Sequence, residues 1–206
     1  MKKMINNPDN VIEELMTGYV IAYPDYIRRS KLHQRALIGK KRNTNREVSV
    51  LIGGGSGHEP AFLGYVGKGM ADGVAVGNIF ASPSPIPIQA VTKEISEGHG
   101  VLYIYGNYAG DLMNFEMASE MTEIEDDIKT AVVIGNDDVA SSKDIDDRRG
   151  IAGELLVYKA AGAAADFGYD LEEVRRIAQL ANDYTRSMGI GLSPCYLPQT
   201  GKPSFD

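Results

Sequence analysis

The sequence predicts an α/β protein, a three-layer sandwich whose mainly parallel sheet is flanked by helices. Three observations predict it. Five short apolar runs rich in β-formers recur along the chain, at 48–52, 73–76, 101–105, 130–134 and 190–192. They are continuous rather than alternating, the pattern of strands buried on both faces. Stretches with helical spacing separate them, at 83–97, 112–124, 151–166 and 171–188, and strands that alternate with helices join by right-handed crossovers into a largely parallel sheet.

The elements follow in order. Residues 8–22 place apolar groups at Val11, Ile12, Leu15, Met16, Val20 and Ile21, which is amphipathic helical spacing, with Asp9 or Asn10 able to cap the first turn. Pro24 stops that helix. Segment 25–46 is basic and weakly patterned, which predicts irregular chain with one short strand. Its basic stretch, Arg28-Arg29 through Lys40-Lys41-Arg42 to Arg46, lacks interleaved aromatics and reads as a solvated loop or edge. The first four apolar runs then end in Gly or Asn, at the place where ligands sit in open parallel sheets, beyond the strands' carboxyl ends. In the helix 151–166, Ala152, Ala160, Ala161, Ala163, Ala164 and Ala165 with Gly153 and Gly162 permit close approach to a sheet, a packing feature rather than a site. No internal repeat, low-complexity linker or domain boundary stands out, so 1–206 reads as a single α/β domain.

Bulk composition narrows the function classes. A chain of 206 residues hides roughly 70% of its unfolded surface on folding, so its core needs no disulfide or metal staple. The single Cys195 cannot pair within the chain and suits a reducing compartment. A net charge of −7, from 28 acidic and 21 basic residues, argues against nonspecific attraction to nucleic acid or to an anionic membrane. No apolar run approaches the ~18 residues of a membrane span. After Met1-Lys2-Lys3-Met4, polar Asn6 to Asn10 stand where a signal peptide needs an apolar stretch. The expected location is the cytoplasm.

Four loops carry candidate chemistry. Gly53-Gly54-Gly55-Ser56-Gly57-His58-Glu59-Pro60 is the strongest local signal: glycines let backbone wrap a ligand and aim N–H groups at its oxygens, and His58 is a potential proton carrier at the strand end. The spacing matches neither a P-loop nor a dinucleotide fingerprint, and it lacks the Gly-x-Ser-x-Gly order of a serine-hydrolase elbow. In Tyr105-Gly106-Asn107-Tyr108-Ala109-Gly110-Asp111, Asp111 reads as the N-cap of the following helix, or alternatively as a carboxylate accepting hydrogen bonds from substrate hydroxyls. In Phe80-Ala81-Ser82-Pro83-Ser84-Pro85, Ser82 with Pro83 reads as an N-cap followed by proline at the first helical position. The acids of Gly135-Asn136-Asp137-Asp138-Val139-Ala140, with Asp144, Asp146 and Asp147, fit no metal-ligand spacing. They read as structural, tethered through salt bridges by Asp147-Arg148-Arg149-Gly150. His33 and His99 have no partner nearby in sequence, and three spaced histidines with one cysteine form no zinc pattern.

Taken together and in this order, the loops resemble the substrate subunit of dihydroxyacetone kinases. The matching pieces are Gly53 to Pro60, Gly77-Asn78-Ile79-Phe80-Ala81-Ser82-Pro83, Asn107 to Asp111 with Asn114-Phe115-Glu116, Asp137-Asp138-Val139-Ala140, Arg148-Arg149-Gly150 and Gly201-Lys202-Pro203-Ser204-Phe205. The resemblance runs from Met1-Lys2-Lys3 to the last residue. It implies that Gly55, Ser56, Gly57, His58, Gly106 and Asp111 bind a small ketose, dihydroxyacetone or a relative. It also implies that His58 and Asp111 are catalytic at the hydroxyl to be phosphorylated. The resemblance further implies that the chain itself binds no cofactor. ATP or ADP with Mg would belong to a nucleotide-binding partner subunit or domain, with phosphate drawn from ATP or from phosphoenolpyruvate through a phosphotransferase relay. It implies a homodimer as well.

Two departures accompany the resemblance. The family subunit is longer, and a histidine in a later Gly-Ile-His-Gly-like segment bonds the ketone covalently; the sequence stops at Asp206 before such a segment. That implies the N-terminal portion of a longer subunit, inactive alone. Many members also carry a lysine where Gly106 stands, so a larger, four-carbon ketose is a second candidate substrate. A non-enzymatic ketone sensor acting as a transcriptional coactivator is the alternative reading.

Overall fold

The computed structural model describes residues 4–40, 43 and 45–203. Met1-Lys2-Lys3, Lys41-Arg42 and Ser204-Phe205, which contribute to the sequence patterns above, lie outside the described residues. A short 3-10 turn, Pro8–Asn10, leads into α1 (Val11–Ala22). There follow β1 (Ile27–Arg29), β2 (Ala36–Gly39), β3 (Ser49–Ser56), β4 (Gly73–Ile79), α2 (Pro85–Ile95), β5 (Val101–Gly106), α3 (Ala109–Asp126), β6 (Thr130–Gly135), α4 (Glu154–Asp166) and α5 (Leu171–Tyr184).

The six strands form one sheet in the order β1-β2-β4-β3-β5-β6. The last four are mutually parallel, and β1 and β2 add to β4 as an antiparallel edge. Each central strand divides its apolar side chains between two cores, because successive residues point to opposite faces. Val50 and Ile52 of β3 with Leu102 and Ile104 of β5 pack on one side, against α1, α4 and α5. Leu51, Tyr103 and Tyr105 pack on the other, against α2 and α3. The three-layer sandwich expected from continuous apolar runs is therefore the observed one. The small-residue face of α4 meets the sheet through buried Ala161, Ala164 and Ala165. No helix among the described residues is long and apolar enough to cross a membrane.

Three expectations change. Segment 25–46 holds two strands rather than one, since Leu37 and Ile38 alternate between the two cores and give the edge something to bury. The run 190–192 is not a strand: Ile190 and Leu192 are exposed and the chain there is irregular. Three apolar residues carry too little periodicity to specify pairing. The basic stretch is not simply solvated. Arg28 pairs with Glu94, Arg35 with Glu13 at 2.6 Å, and Arg46 is buried between Asp72 (2.9 Å) and Asp166 (3.1 Å) while donating to the Met70 carbonyl at 2.8 Å. These acids are remote in sequence, so local composition gives no hint of them.

Removing the buried cation from that triad leaves two half-buried carboxylates without their shared partner. Arg46→Met is expected to cost about 3–5 kcal/mol in urea denaturation. A loss below about 1 kcal/mol, the range of exposed ion pairs, would show that the triad is not desolvated.

Candidate functional site

Strands β4, β3 and β5 lie side by side and end at the same edge of the sheet. The segments leaving them wall a cleft of about 780 Å³, whose far side is formed by Gly150 to Tyr158. This is the crevice beyond the carboxyl ends where the strand order reverses direction, the general ligand position of such sheets.

β3 runs further than its apolar pattern suggests, through Ser56, with an irregularity in its pairing to β4 between Gly54 and Ser56. A Cβ at Gly55 would stand 2.7 Å from the Ala81 amide nitrogen, so only glycine lets the turn after β4 close onto β3. Gly57 takes φ +108°, a conformation open to glycine but not to ordinary L-residues. The chain then turns and delivers His58 to the cleft wall. Its exposed imidazole stands edge-on to Phe62 at 5.7 Å and 6.0 Å from Phe80. Phe80 itself is held at φ +56°, an uncommon state for a bulky residue.

Asp111 is not the cap of α3. The cap position is Tyr108, which makes no side-chain cap bond, and Asp111 lies in the first helical turn. It is 8% exposed and lines the cleft with His58, Gly55 and Gly106. Its Oδ1 is buried with no hydrogen-bond partner among the described residues. Burial raises its pKa above the ordinary carboxylate value, against smaller lowering effects from the Ser82 hydroxyl and the His58 ring. A buried acceptor without a donor is rare in native proteins, and the residue that carries this one is among those lining the cleft.

The other candidate positions fall into place around this pair. The hydroxyl of Ser56 is buried and donates to the Gly77 carbonyl at 2.9 Å, tying β3 to β4. The Gly57 N–H donates to the Glu59 carboxylate at 3.1 Å. Neither residue lines the cleft. Ser82 does line it, and the helix cap is one Ser-Pro pair later, with Ser84 as the cap and Pro85 as the first helical residue. The repeated pair Ser82-Pro83-Ser84-Pro85 satisfies the capping rule twice, and the helix uses the second. Asp137 is structural as expected: it accepts from the Ile151 and Gly153 amides at 3.0 and 2.9 Å, and from the Ser187 hydroxyl. Arg148 holds its loop by donating to the Ser142 and Lys143 carbonyls rather than to the acids. His33 and His99 lie away from the cleft, and no metal-competent cluster occurs among the described residues.

Two cleft residues escaped the sequence patterns, Glu154 and Tyr158, on the first turns of α4. Glu154 is 3% exposed, and its Oε2 accepts the Tyr158 hydroxyl. A Cβ on Gly106 would lie 2.6 Å from Glu154 Oε1 and 3.0 Å from the Tyr108 ring, so the space above Gly106 is occupied rather than open. Burial, reinforced by the charges of Asp137 and Asp111 and opposed by the Tyr158 hydrogen bond, pushes the Glu154 carboxyl from 4.5 up to about 8. Nothing local in the sequence marks a glutamate at a helix start as buried, since acids are ordinary there.

These features define an α/β domain with a cleft, beyond the ends of its parallel strands, lined by an imidazole and two buried carboxyls. The Dak1 domain model matches residues 17–206, and the chain belongs to that family. It is 46% identical over 206 residues to the dihydroxyacetone-binding subunit DhaK of PTS-dependent dihydroxyacetone kinase 2 from Listeria innocua, covering 100% of this chain and 62% of that one. It is 41% identical over 207 residues to L-erythrulose 1-kinase from Mycolicibacterium smegmatis, covering 100% of this chain and 36% of the other. The dihydroxyacetone kinase of C. freundii in its native form superposes with a TM-score of 0.91 at 36% identity, over 98% of this chain and 38% of that one. A second structure of that kinase, with AMP-PNP and Mg2+, gives 0.90 at 35% identity, over 98% and 37%. The chain thus spans less than two thirds of the length of these relatives.

Two outcomes follow from the geometry. Gly55→Ala is expected to force the 80–82 turn outward, lowering stability by about 1–3 kcal/mol and widening the cleft between His58 and Asp111. Thermal melts and a crystal structure check it, and an unmoved turn would contradict it. For Glu154 the folded pKa lies above the unfolded one. Its contribution to stability is complete below about 4.5 and is lost as pH rises through about 8. Between pH 5 and 8.5 the unfolding free energy of the native sequence should fall relative to Glu154→Gln by on the order of 4 kcal/mol. Parallel pH profiles for the two proteins would contradict a protonated buried carboxyl.

Proposed function

We propose that this chain is the ketose-binding part of a dihydroxyacetone-kinase substrate subunit. The observation that carries the reading is the buried, unpartnered Oδ1 of Asp111 in the same cleft as the His58 imidazole. A ketose hydroxyl entering the cleft supplies the missing donor. Asp111 accepts that hydrogen bond in the resting complex; as the alcohol oxygen attacks the phosphorus and the phosphorus–oxygen bond to the departing nucleotide breaks, the hydroxyl's one proton passes to His58. A primary alcohol is a weak nucleophile, and a positioned base typically contributes 10²–10⁴-fold. Gly55 brings backbone against the ligand, Gly57 sets the turn that aims His58, and Ser56 holds the two strands in register. Gly106 makes room for the Glu154 carboxyl beside the site.

The phosphoryl group comes from a nucleotide-binding partner subunit or domain carrying ATP or ADP with Mg, and the chain's own loops have no phosphate-cradling motif of that kind. The working assembly is a homodimer acting in the cytoplasm. Dihydroxyacetone and erythrulose are the two substrates to weigh, because relatives named for each align over the whole chain.

The test uses the full-length protein with its nucleotide-binding partner and phosphoryl donor. Both ketoses are titrated by calorimetry and their phosphorylation is followed. His58→Asn is expected to lower kcat by about 10²–10⁴-fold with ketose binding largely retained, and Asp111→Asn to weaken binding and turnover together. Absence of binding to either ketose, or full turnover in His58→Asn, would overturn the reading. Binding without any phosphate ester would instead indicate a sensor.

A further inference from the structure

The mechanism above leaves one buried titratable group in the cleft unused. Glu154 lines the cavity, and its carboxyl is engaged on one side only: Tyr158 donates to Oε2, while no hydrogen-bond partner of Oε1 occurs among the described residues. Tyr158 is itself fully buried, with its ring 5.9 Å from that of Tyr65, so its hydroxyl is fixed in direction. Three glycines abut the carboxyl. A Cβ at Gly106 or Gly150 would come within 2.6 or 2.1 Å of Oε1, and one at Gly135 within 2.6 Å of the Glu154 Cγ. Three strand- and loop-end positions without side chains thus form a slot around this carboxyl.

A purely structural acid at a helix start is ordinarily satisfied by local amides or by water. Here α4 has no side-chain cap bond, and the acid is almost wholly buried against the cleft instead. The cleft, of about 780 Å³, has room for a four-carbon as well as a three-carbon ligand.

We propose that Glu154 is a specificity-determining residue of the cleft: its Oε1 hydrogen-bonds a hydroxyl of a four-carbon ketose, at the end of the ligand away from the hydroxyl facing His58. Tyr158 is the positioning residue that holds Oε2 and thereby aims Oε1. The inference rests on the ketose reading above and adds to it the length of the preferred substrate. Sites built to hydrogen-bond a hydroxyl discriminate against the analogue that lacks it, because the buried group is then left unpaired.

The experiment compares kcat/KM for erythrulose and dihydroxyacetone in the full-length protein with its partner, for the native sequence, His58→Asn, Glu154→Leu, Glu154→Gln and Tyr158→Phe. Glu154→Leu should lower the erythrulose-to-dihydroxyacetone ratio by about tenfold or more, chiefly through KM. Glu154→Gln keeps a donor and an acceptor and should stay within about threefold of native, while Tyr158→Phe should lower the ratio by an intermediate amount. Should Glu154→Leu not fold, as judged by its melt, the Tyr158→Phe ratio decides. An unchanged ratio in the folded variants overturns the proposal. If His58→Asn loses turnover as expected while the Glu154 and Tyr158 variants do not discriminate, this inference alone fails. If the native protein phosphorylates neither ketose, the underlying reading fails and this one with it.

Discussion

The cleft exists because several chain segments approach one another more closely than side chains allow. At Gly55 the backbone of β3 sits against Ala81, and at Gly77 a Cβ would lie 2.0 Å from the Ala81 carbonyl oxygen. The turn that carries Phe80 and Ser82 is therefore clamped between two strand ends. At Gly106 and Gly150 the same economy of atoms admits the Glu154 carboxyl. Parallel strands ending together supply the location; the glycines supply the depth. From that constraint follow the aim of His58, the burial of Asp111 and the enclosure of Glu154.

Enclosure sets the electrostatics. Asp111 and Glu154 are both raised above the ordinary carboxylate range, each chiefly by desolvation. Glu154 shifts up to about 8 because the other acids nearby add to its burial and no cation offsets them. Asp111 is moderated by Ser82 and His58. Both shifts favour the protonated carboxyl, which can donate a hydrogen bond as well as accept one. A polyhydroxy ligand, with donors and acceptors on adjacent carbons, suits such a pair.

Much of the scaffold was legible locally. The apolar runs at 48–52, 73–76, 101–105 and 130–134 became the four parallel strands, and the helical spacing marked every long helix. The Gly-rich turn before His58 announced itself by composition. What stayed hidden depends on remote partners. The strands β1 and β2 are organised by edge pairing to β4, and Arg46 by acids 26 and 120 residues away. A three-residue apolar run at 190–192 had nothing to pair with. Asp111 looked like a helix cap because capping is a local rule, whereas its burial comes from the cleft. Glu154 carried no signal at all: its place is created by glycines on three other segments.

The account turns on one contact between protein and guest, and a crystal structure of the full-length protein soaked with dihydroxyacetone measures it directly. The expected result is a ligand hydroxyl within about 3 Å of Asp111 Oδ1, with the His58 ring in reach of the same oxygen. Ketose density elsewhere on the molecule, or a ligand in the cleft that leaves Asp111 Oδ1 without a donor, would contradict it.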